Sequence, residues 1–151
     1  SWSGFFRYMV ENALYFKPPL GFFRNFVVES KGKHRNSFDI KGAMQPIVDF
    51  ARIYALKIRV EETNTLERLQ QLCLVKALSR EEYEELEKAY NFLMQLRFVR
   101  QVTAVIDEQV PPHNFCNPKR LTGIEQTTLK EIFRRIEKFQ SRMNFDFIGI
   151  A

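Results

Sequence analysis

Four basic side chains at helical positions are the residues of this sequence best suited to bind an anion. Lys41 and Arg52 fall on one amphipathic stretch, whereas Arg68 and Arg97 fall on two others. The planar guanidinium fork of arginine binds phosphate and carboxylate groups through two parallel hydrogen bonds, and lysine adds a compact positive charge. The sequence therefore predicts a substrate or anion site that draws on all four: Lys41, Arg52, Arg68 and Arg97.

Arg97 continues a stripe of residues that we expect to face the core: Tyr83, Leu86, Tyr90 and Leu93. Because an unpaired buried charge is costly, Arg97 must have a partner or face a wet cavity. It either clamps a phosphate or carboxylate group, or forms a structural ion pair with Asp49 or a glutamate. A third alternative rotates the stripe onto Met94 and Phe98, and the sequence leaves all three open.

Three further residues are expected to support this site. Asp49 shares the polar stripe of Lys41 and Arg52 on the long helix, and that stripe either lines a groove or is a solvated face. Asn64 and Thr65 lie at the start of the next helix, where unpaired backbone N–H groups and the helix dipole attract anions. The alternative role for Asn64 is simple capping of that helix.

No residue of the sequence is predicted to be catalytic or to bind a metal ion. His34 and His113 stand far apart in two loops and lack partners at metal-binding spacing, so both are expected to be surface histidines. Cys73 and Cys116 lie in unrelated contexts and are expected to be reduced cytosolic thiols. No cofactor is therefore expected in this chain.

Helical spacing of apolar residues predicts the elements that position these side chains. Helices are expected over residues 2–16, 20–28, 43–58, 65–77, from 80 towards 108, and from 122 onwards. The pairs Ser79 with Glu82 and Thr122 with Glu125 have the spacing of capping boxes. A helix that begins at residue 43 would place Pro46 in its first turn, where proline is tolerated.

The fold class predicted from these elements is all-α. An antiparallel up-and-down helical bundle is expected over residues 39–147, with additional N-terminal helices and a loop over 1–38 packed on its side or end. The 151 residues, 45% of them hydrophobic and 15 of them Phe, suffice for a single domain with a real core. We expect this domain to belong to a larger multidomain protein.

Several segments, in order, resemble one bacterial family. The stretch DIKGAMQPIVDFARIYALKIRVEETNTLER (39–68), with PPLGFFRNFVVE before it and EKAYNFLMQLR after it, is similar to a C-terminal helical domain. That domain belongs to nucleotidyltransferases with cyclic-nucleotide-binding and CBS domains. The helical domain of the P-II uridylyltransferase and glutamine synthetase adenylyltransferase group is a more distant likeness. The resemblance covers roughly residues 18–147, and departs from the family where Lys57–Val60 replaces a His-Gly turn.

The resemblance implies a helical domain that binds acceptor or nucleotide beside a separate catalytic domain. Such catalytic domains carry a Gly-Ser turn followed by paired metal-binding Asp residues, and this sequence has no such motif. The chain alone is therefore expected not to be catalytic. Mg²⁺ and a nucleoside triphosphate are expected in the adjacent catalytic domain of a uridylyltransferase-like signalling protein.

The expected partners follow from the same comparison: the catalytic domain, a protein acceptor, or a second copy forming a homodimer. The competing hypothesis is a protein-interaction or dimerisation module with no ligand site. Nucleic-acid binding is not expected, because residues 61–118 are acidic between two basic ends although the net charge is +5. No apolar run approaches about 20 residues and the N-terminal stretch does not resemble a signal peptide, so a cytoplasmic protein without membrane contact is expected.

Overall fold

Helices make up most of the protein, and the all-α prediction is confirmed. The computed structural model describes residues 1–21 and 25–149. Its helices are α1 (Trp2–Ala13), α2 (Ile40–Lys57), α3 (Thr65–Leu74), α4 (Arg80–Ile106) and α5 (Gly123–Ile148). The strands β1 (Phe38–Asp39) and β2 (Phe115–Cys116) form a two-stranded antiparallel sheet, and a short 3₁₀ helix covers Pro118–Arg120.

The central element is α2, which contacts each of the other four helices. It begins at Ile40, earlier than predicted, because the Asp39 side chain accepts a hydrogen bond from the Lys41 N–H at 3.0 Å and caps the helix. The prediction that Pro46 lies in the first turn is therefore wrong. Pro46 lies inside the helix, where its ring nitrogen cannot donate to the Gly42 carbonyl.

Contacts along α5 show that α2 runs in the same direction. The rings of Phe50 and Phe139 lie 5.2 Å apart, and further along both helices the Tyr54 hydroxyl donates to Asp146 at 2.5 Å. Burial, followed by the bond to Asp146, raises the pKa of Tyr54, so this hydroxyl stays protonated. The pair fixes the register of the two helices.

The long helix α4 runs antiparallel to α5. Arg142 near the end of α5 pairs with Glu82 at the start of α4 at 2.8 Å. Arg135, earlier on α5, pairs with the later residue Glu85 at 3.1 Å. The up-and-down arrangement follows from these opposed directions. Buried residues from α2, α3, α4 and α5 together fill one core: Ile40, Ile47, Phe50, Ile53, Leu69, Leu72, Leu86, Leu93, Leu129, Phe133 and Ile136.

The N-terminal part contains one of the two predicted helices. Helix α1 packs on α2 and α5 and contributes Val10 and Ala13 to the core. A helix over 20–28 is wrong for the described residues, because Leu20 and Phe26 instead form an isolated antiparallel bridge. The rest of that predicted helix, residues 22–24, lies outside the described part of the chain.

Both predicted capping boxes are confirmed. The Ser79 and Thr122 hydroxyls accept from the backbone N–H of Glu82 and Glu125, whose carboxylates accept from the cap residues in return. Helix α3 ends at Leu74, short of the predicted residue 77. None of the helices within 1–21 and 25–149 combines the length and apolar character that crossing a membrane requires.

Candidate functional site

The predicted residues on α2 form an ion pair within the helix. Asp49 is buried, with 3% of its side chain exposed, and its Oδ1 accepts from Arg52 Nη2 at 2.5 Å. Gln45 Nε2 donates to the same oxygen at 3.0 Å. The exposed Lys41 precedes Arg52 by eleven residues, which is about 16 Å along a helix. Arg52 is thus paired with Asp49, whereas Lys41 lies at the other end of α2.

Arg97 is half-buried and bonded to a loop. Its Nε donates to Asn114 Oδ1 at 2.7 Å, and Gln101 Nε2 donates to the same oxygen at 2.9 Å. The Asn114 carbonyl accepts from the Ile40 N–H at 2.8 Å. Arg97 therefore ties α4 to the loop before β2, and the backbone of the same asparagine joins that loop to the start of α2. A pair between Arg97 and Asp49 was one open alternative, and it is wrong because Arg52 occupies that carboxylate.

The predicted residues around α3 lie in or beside its first turn and stabilise it. Asn64 Oδ1 accepts from the Leu66 N–H at 2.9 Å and caps the helix, while Thr65 is buried. Arg68 Nε donates to the Glu62 carbonyl at 2.7 Å, fastening the preceding loop. The three predicted arginines thus bond to three different parts of the protein. Their joint role with Lys41 in substrate binding stays a prediction.

A separate cluster of charges surrounds a pocket of about 260 Å³ at the end of α4. Among the described residues, four cations and one carboxylate line this basic pocket: Lys33, Arg35, Arg100, Arg120 and Glu108. They come from the loop before β1, from α4 and the turn after it, and from the 3₁₀ helix. Such an excess of positive charge in a concave site attracts anions.

The loop before β1 holds two of these cations. Asn36 N–H donates to the Glu29 carbonyl at 2.8 Å and closes the loop, and Gly32 adopts a φ of +85° that side-chain-bearing residues disfavour. The His34 ring stacks on Phe115 of β2 with 3.9 Å between ring centroids. The stacking places the neighbouring cations of the loop beside the end of α4.

Arg100 and Glu108 form the centre of the basic pocket. Arg100 Nη2 lies 2.5 Å from Glu108 Oε2, and Arg120 Nη1 lies 3.5 Å from the other carboxylate oxygen. The hydrogen bond from Arg100 lowers the pKa of Glu108, so the carboxylate is charged at neutral pH. After α4 the chain turns back, which brings Glu108 next to Arg100. This turn continues through Gln109, whose φ is +53°.

One hydrogen-bond donor of the Arg100 guanidinium has no acceptor within the described part of the protein. Only 14% of its side chain is exposed. Its Nε is buried and has no hydrogen-bond partner among the described residues. A buried donor without a partner is uncommon in folded proteins and costs free energy. This donor is closed to solvent, and the capacity of the pocket to attract an anion rests instead on its four cations against one carboxylate.

The two histidines meet at this pocket, which corrects the prediction of two separate surface histidines. Their ring centroids lie 4.9 Å apart, and only 21% of the His113 side chain is exposed. His113 Nδ1 accepts from the Phe115 N–H at 3.1 Å, so the proton of the neutral ring is assigned to Nε2. Burial, and then the charge of Arg100, lower the pKa of His113.

An apolar cavity of about 330 Å³ adjoins the basic pocket. Its walls include five hydrophobic residues: Phe92, Leu96, Val99, Cys116 and Leu121. Arg100, Asn117 and Arg120 line both spaces. We call the basic pocket and the apolar cavity together the Arg100 cleft. The apolar cavity alone lies at the lower end of the range of about 300–1,000 Å³ that is usual for small-molecule sites.

Cys116 contributes to the wall of the apolar cavity without being a nucleophile. The residue is buried, with 4% relative exposure. Burial raises the pKa of its thiol to about 11, so the reactive thiolate is scarce at neutral pH. Within residues 1–21 and 25–149, no group of three or more His, Cys, Asp or Glu residues could hold a metal ion.

Residues 3–147 match the model of one family, described as "Putative nucleotidyltransferase substrate binding domain". The chain belongs to this family. Neither the curated proteins nor the solved structures gave a match. The family description concerns substrate binding. In the described structure, the Arg100 cleft combines a cavity with an excess of positively charged side chains.

The cleft of this substrate-binding domain was missed in the sequence, although two signals were present. The loops KGKHR (31–35) and PPHNFCNPKR (111–120) are both rich in cationic and histidine residues. Their pairing depends on β1 and β2, which have only two residues each and lie far apart in the chain. Strands of that length have no recognisable alternation, so nothing in the sequence joins the two loops.

Proposed function

We propose that this domain binds a phosphate-bearing substrate in the Arg100 cleft and positions it for an adjacent nucleotidyltransferase domain. The observation that supports this proposal is the group of four cations around one pocket, two of which share a single carboxylate. Guanidinium groups match the oxygen geometry of phosphate, and charge-assisted hydrogen bonds contribute about 1.5–3 kcal/mol each. Binding, and not catalysis, is the proposed task of this chain.

Metal-dependent transfer would take place in the neighbouring catalytic domain. Mg²⁺ and a nucleoside triphosphate belong there in this proposal, and the substrate held by the helical domain is the nucleotide or the acceptor. The parent protein is proposed to be a bacterial, cytoplasmic, uridylyltransferase-like signalling protein with cyclic-nucleotide-binding and CBS domains. The resemblance of residues 39–68 and their flanking segments supports these finer points.

Titration calorimetry with inorganic pyrophosphate at low ionic strength tests the proposal. We expect saturable binding by the wild-type domain, and at least about tenfold weaker binding by Arg120→Gln, because the loss of one charge-assisted contact of about 1.5 kcal/mol or more corresponds to a factor of ten or more. Arg80→Gln is the matched control. It removes an arginine that is paired with Glu84 at the opposite end of α4. Absence of pyrophosphate binding, or equal losses in both variants, would contradict the proposal.

A protein-interaction or dimerisation module is the second candidate function. The observation that favours it is an exposed apolar stripe on α4: Met94, Phe98, Val102 and Val105. Exposed apolar patches on a helix that also faces a core are typical of surfaces that another protein covers. Sedimentation equilibrium of the wild type and Phe98→Glu tests this candidate. A wild-type dimer that becomes monomeric in the variant, together with absent pyrophosphate binding, would favour it.

A further inference from the structure

We infer that the ligand of the Arg100 cleft is a nucleotide, with its phosphates in the basic pocket and its base in the apolar cavity. This inference rests on the proposed function, since it names the class of substrate that the same site would take. It goes further by assigning two subsites of different chemistry within one cleft. A ligand that fills both must be anionic at one end and largely apolar at the other.

The two subsites adjoin each other. Arg100, Asn117 and Arg120 line both the basic pocket and the apolar cavity, so these three residues lie at the boundary between them. Asn117 caps the 3₁₀ helix by accepting from the Lys119 N–H at 3.0 Å, and this cap fixes the start of the segment that bears Arg120. A ligand molecule that occupies both subsites would contact these boundary residues.

The apolar cavity suits a flat heterocycle. Phe92, Leu96 and Leu121 provide hydrophobic walls. Gln95, Thr103 and Glu125 supply an amide, a hydroxyl and a carboxylate on the same lining. A nucleobase has apolar faces and a hydrogen-bonding edge, which is the combination that such a lining recognises. An inorganic phosphate or pyrophosphate would leave this cavity unfilled.

The charge of the basic pocket is matched by a ligand that carries more than one phosphate group. Its four cations outnumber the single carboxylate of Glu108 among the described lining residues. Arg120 and Arg100 both lie next to that carboxylate, at 3.5 and 2.5 Å, and both line the pocket. A diphosphate can take the place of Glu108 as the acceptor for both guanidinium groups.

Calorimetric titration with ADP, GDP, CDP and UDP, compared with pyrophosphate, tests this assignment. We expect at least one nucleoside diphosphate to bind about tenfold or more tightly than pyrophosphate. Val99→Trp should fill the apolar cavity, because Val99 lines it from α4 and is 52% exposed. The variant should bind the preferred nucleotide no more tightly than pyrophosphate, with pyrophosphate affinity unchanged.

Val105→Trp is the matched control, because Val105 is 50% exposed on the same helix and is not among the residues that line either subsite. It should leave both affinities unchanged. If all four nucleotides bind no more tightly than pyrophosphate, the inference is wrong while the proposed phosphate site stands. Loss of pyrophosphate binding in Val99→Trp would also overturn it, since the subsites would not be separate. If neither class of ligand binds the wild type, the proposed function fails as well.

Discussion

Glu108 Oε2 lies 2.5 Å from Arg100 Nη2, so a carboxylate of the protein occupies the position at which a phosphate would meet this guanidinium. The same carboxylate also approaches Arg120 at 3.5 Å. In the free protein, Glu108 thus neutralises part of the positive charge of the basic pocket. A bound anion must compete with it for the same donors.

Replacing Glu108 by Gln should therefore strengthen anion binding. The substitution removes a negative charge beside the phosphate and releases the Arg100 and Arg120 guanidinium groups. We expect pyrophosphate affinity to rise about threefold to tenfold at low salt, with a smaller gain at high salt because of screening. Calorimetry at two ionic strengths measures both effects.

Glu84→Gln is the control for that experiment. Glu84 pairs with Arg80 at 3.0 Å on the exposed start of α4, so its loss changes the net charge by the same amount far from the cleft. Equal gains in the two variants would show that only the net charge of the protein matters. Weaker binding by Glu108→Gln would show that the carboxylate mainly orients Arg100.

The cap of α5 should be worth a measurable part of the stability. Thr122→Ala removes the hydroxyl that accepts from the Glu125 N–H at 3.2 Å, and we expect a loss of about 1 kcal/mol in the free energy of unfolding. Ser141→Ala, an equivalent change at an exposed position inside α5, is expected to be neutral or slightly stabilising. Urea denaturation compares the two variants, and equal stabilities would contradict the capping role.

The helices could be predicted because their signals are local. The apolar face of α2 and the capping pairs Ser79–Glu82 and Thr122–Glu125 lie within one or a few turns of helix. Helix ends were less accurate, as the early start of α2 at Ile40 shows. The Asp39 side chain decides that start by capping, whereas the apolar pattern begins later.

The candidate site could not be predicted because it depends on contacts between distant loops. The basic loop that contains His34 meets β2 through the pairing of β1 with β2 and the stacking of His34 on Phe115. Arg97 was singled out correctly as a half-buried charge that needs a partner, but that partner is the neutral amide of Asn114. Periodicity reports which face a residue occupies, and it does not report which loop folds over that face.

The Arg97→Met variant separates the two candidate binding regions. It removes the bond from Arg97 Nε to Asn114 Oδ1, which has a length of 2.7 Å, and we expect a loss of about 1.5–3 kcal/mol in the free energy of unfolding. Pyrophosphate affinity should stay within twofold of the wild type at a temperature where the variant is folded. A tenfold loss of affinity would instead support the site predicted from Lys41, Arg52, Arg68 and Arg97.

The stability of the protein should fall between neutral and mildly acidic pH because of His113. Burial and the nearby charge of Arg100 lower the pKa of this imidazole below its ordinary value of 6.5. The unfolded chain therefore binds more protons at this position as the pH falls through about 6.5, and the free energy of unfolding decreases until the folded-state pKa is reached. Above pH 6.5 the imidazole is neutral in both states, and this dependence disappears.

Urea unfolding of the wild type and His113→Gln at several pH values from 5 to 8 measures that dependence. The variant should lose much of the decrease seen below pH 6.5, because glutamine does not titrate. Glu108 does not contribute to this slope, since its lowered pKa places the loss of its stabilisation below its ordinary value of 4.5, outside the measured range. Identical slopes for the two proteins between pH 5 and 6.5 would show that burial and the charge of Arg100 do not hold His113 in its neutral form.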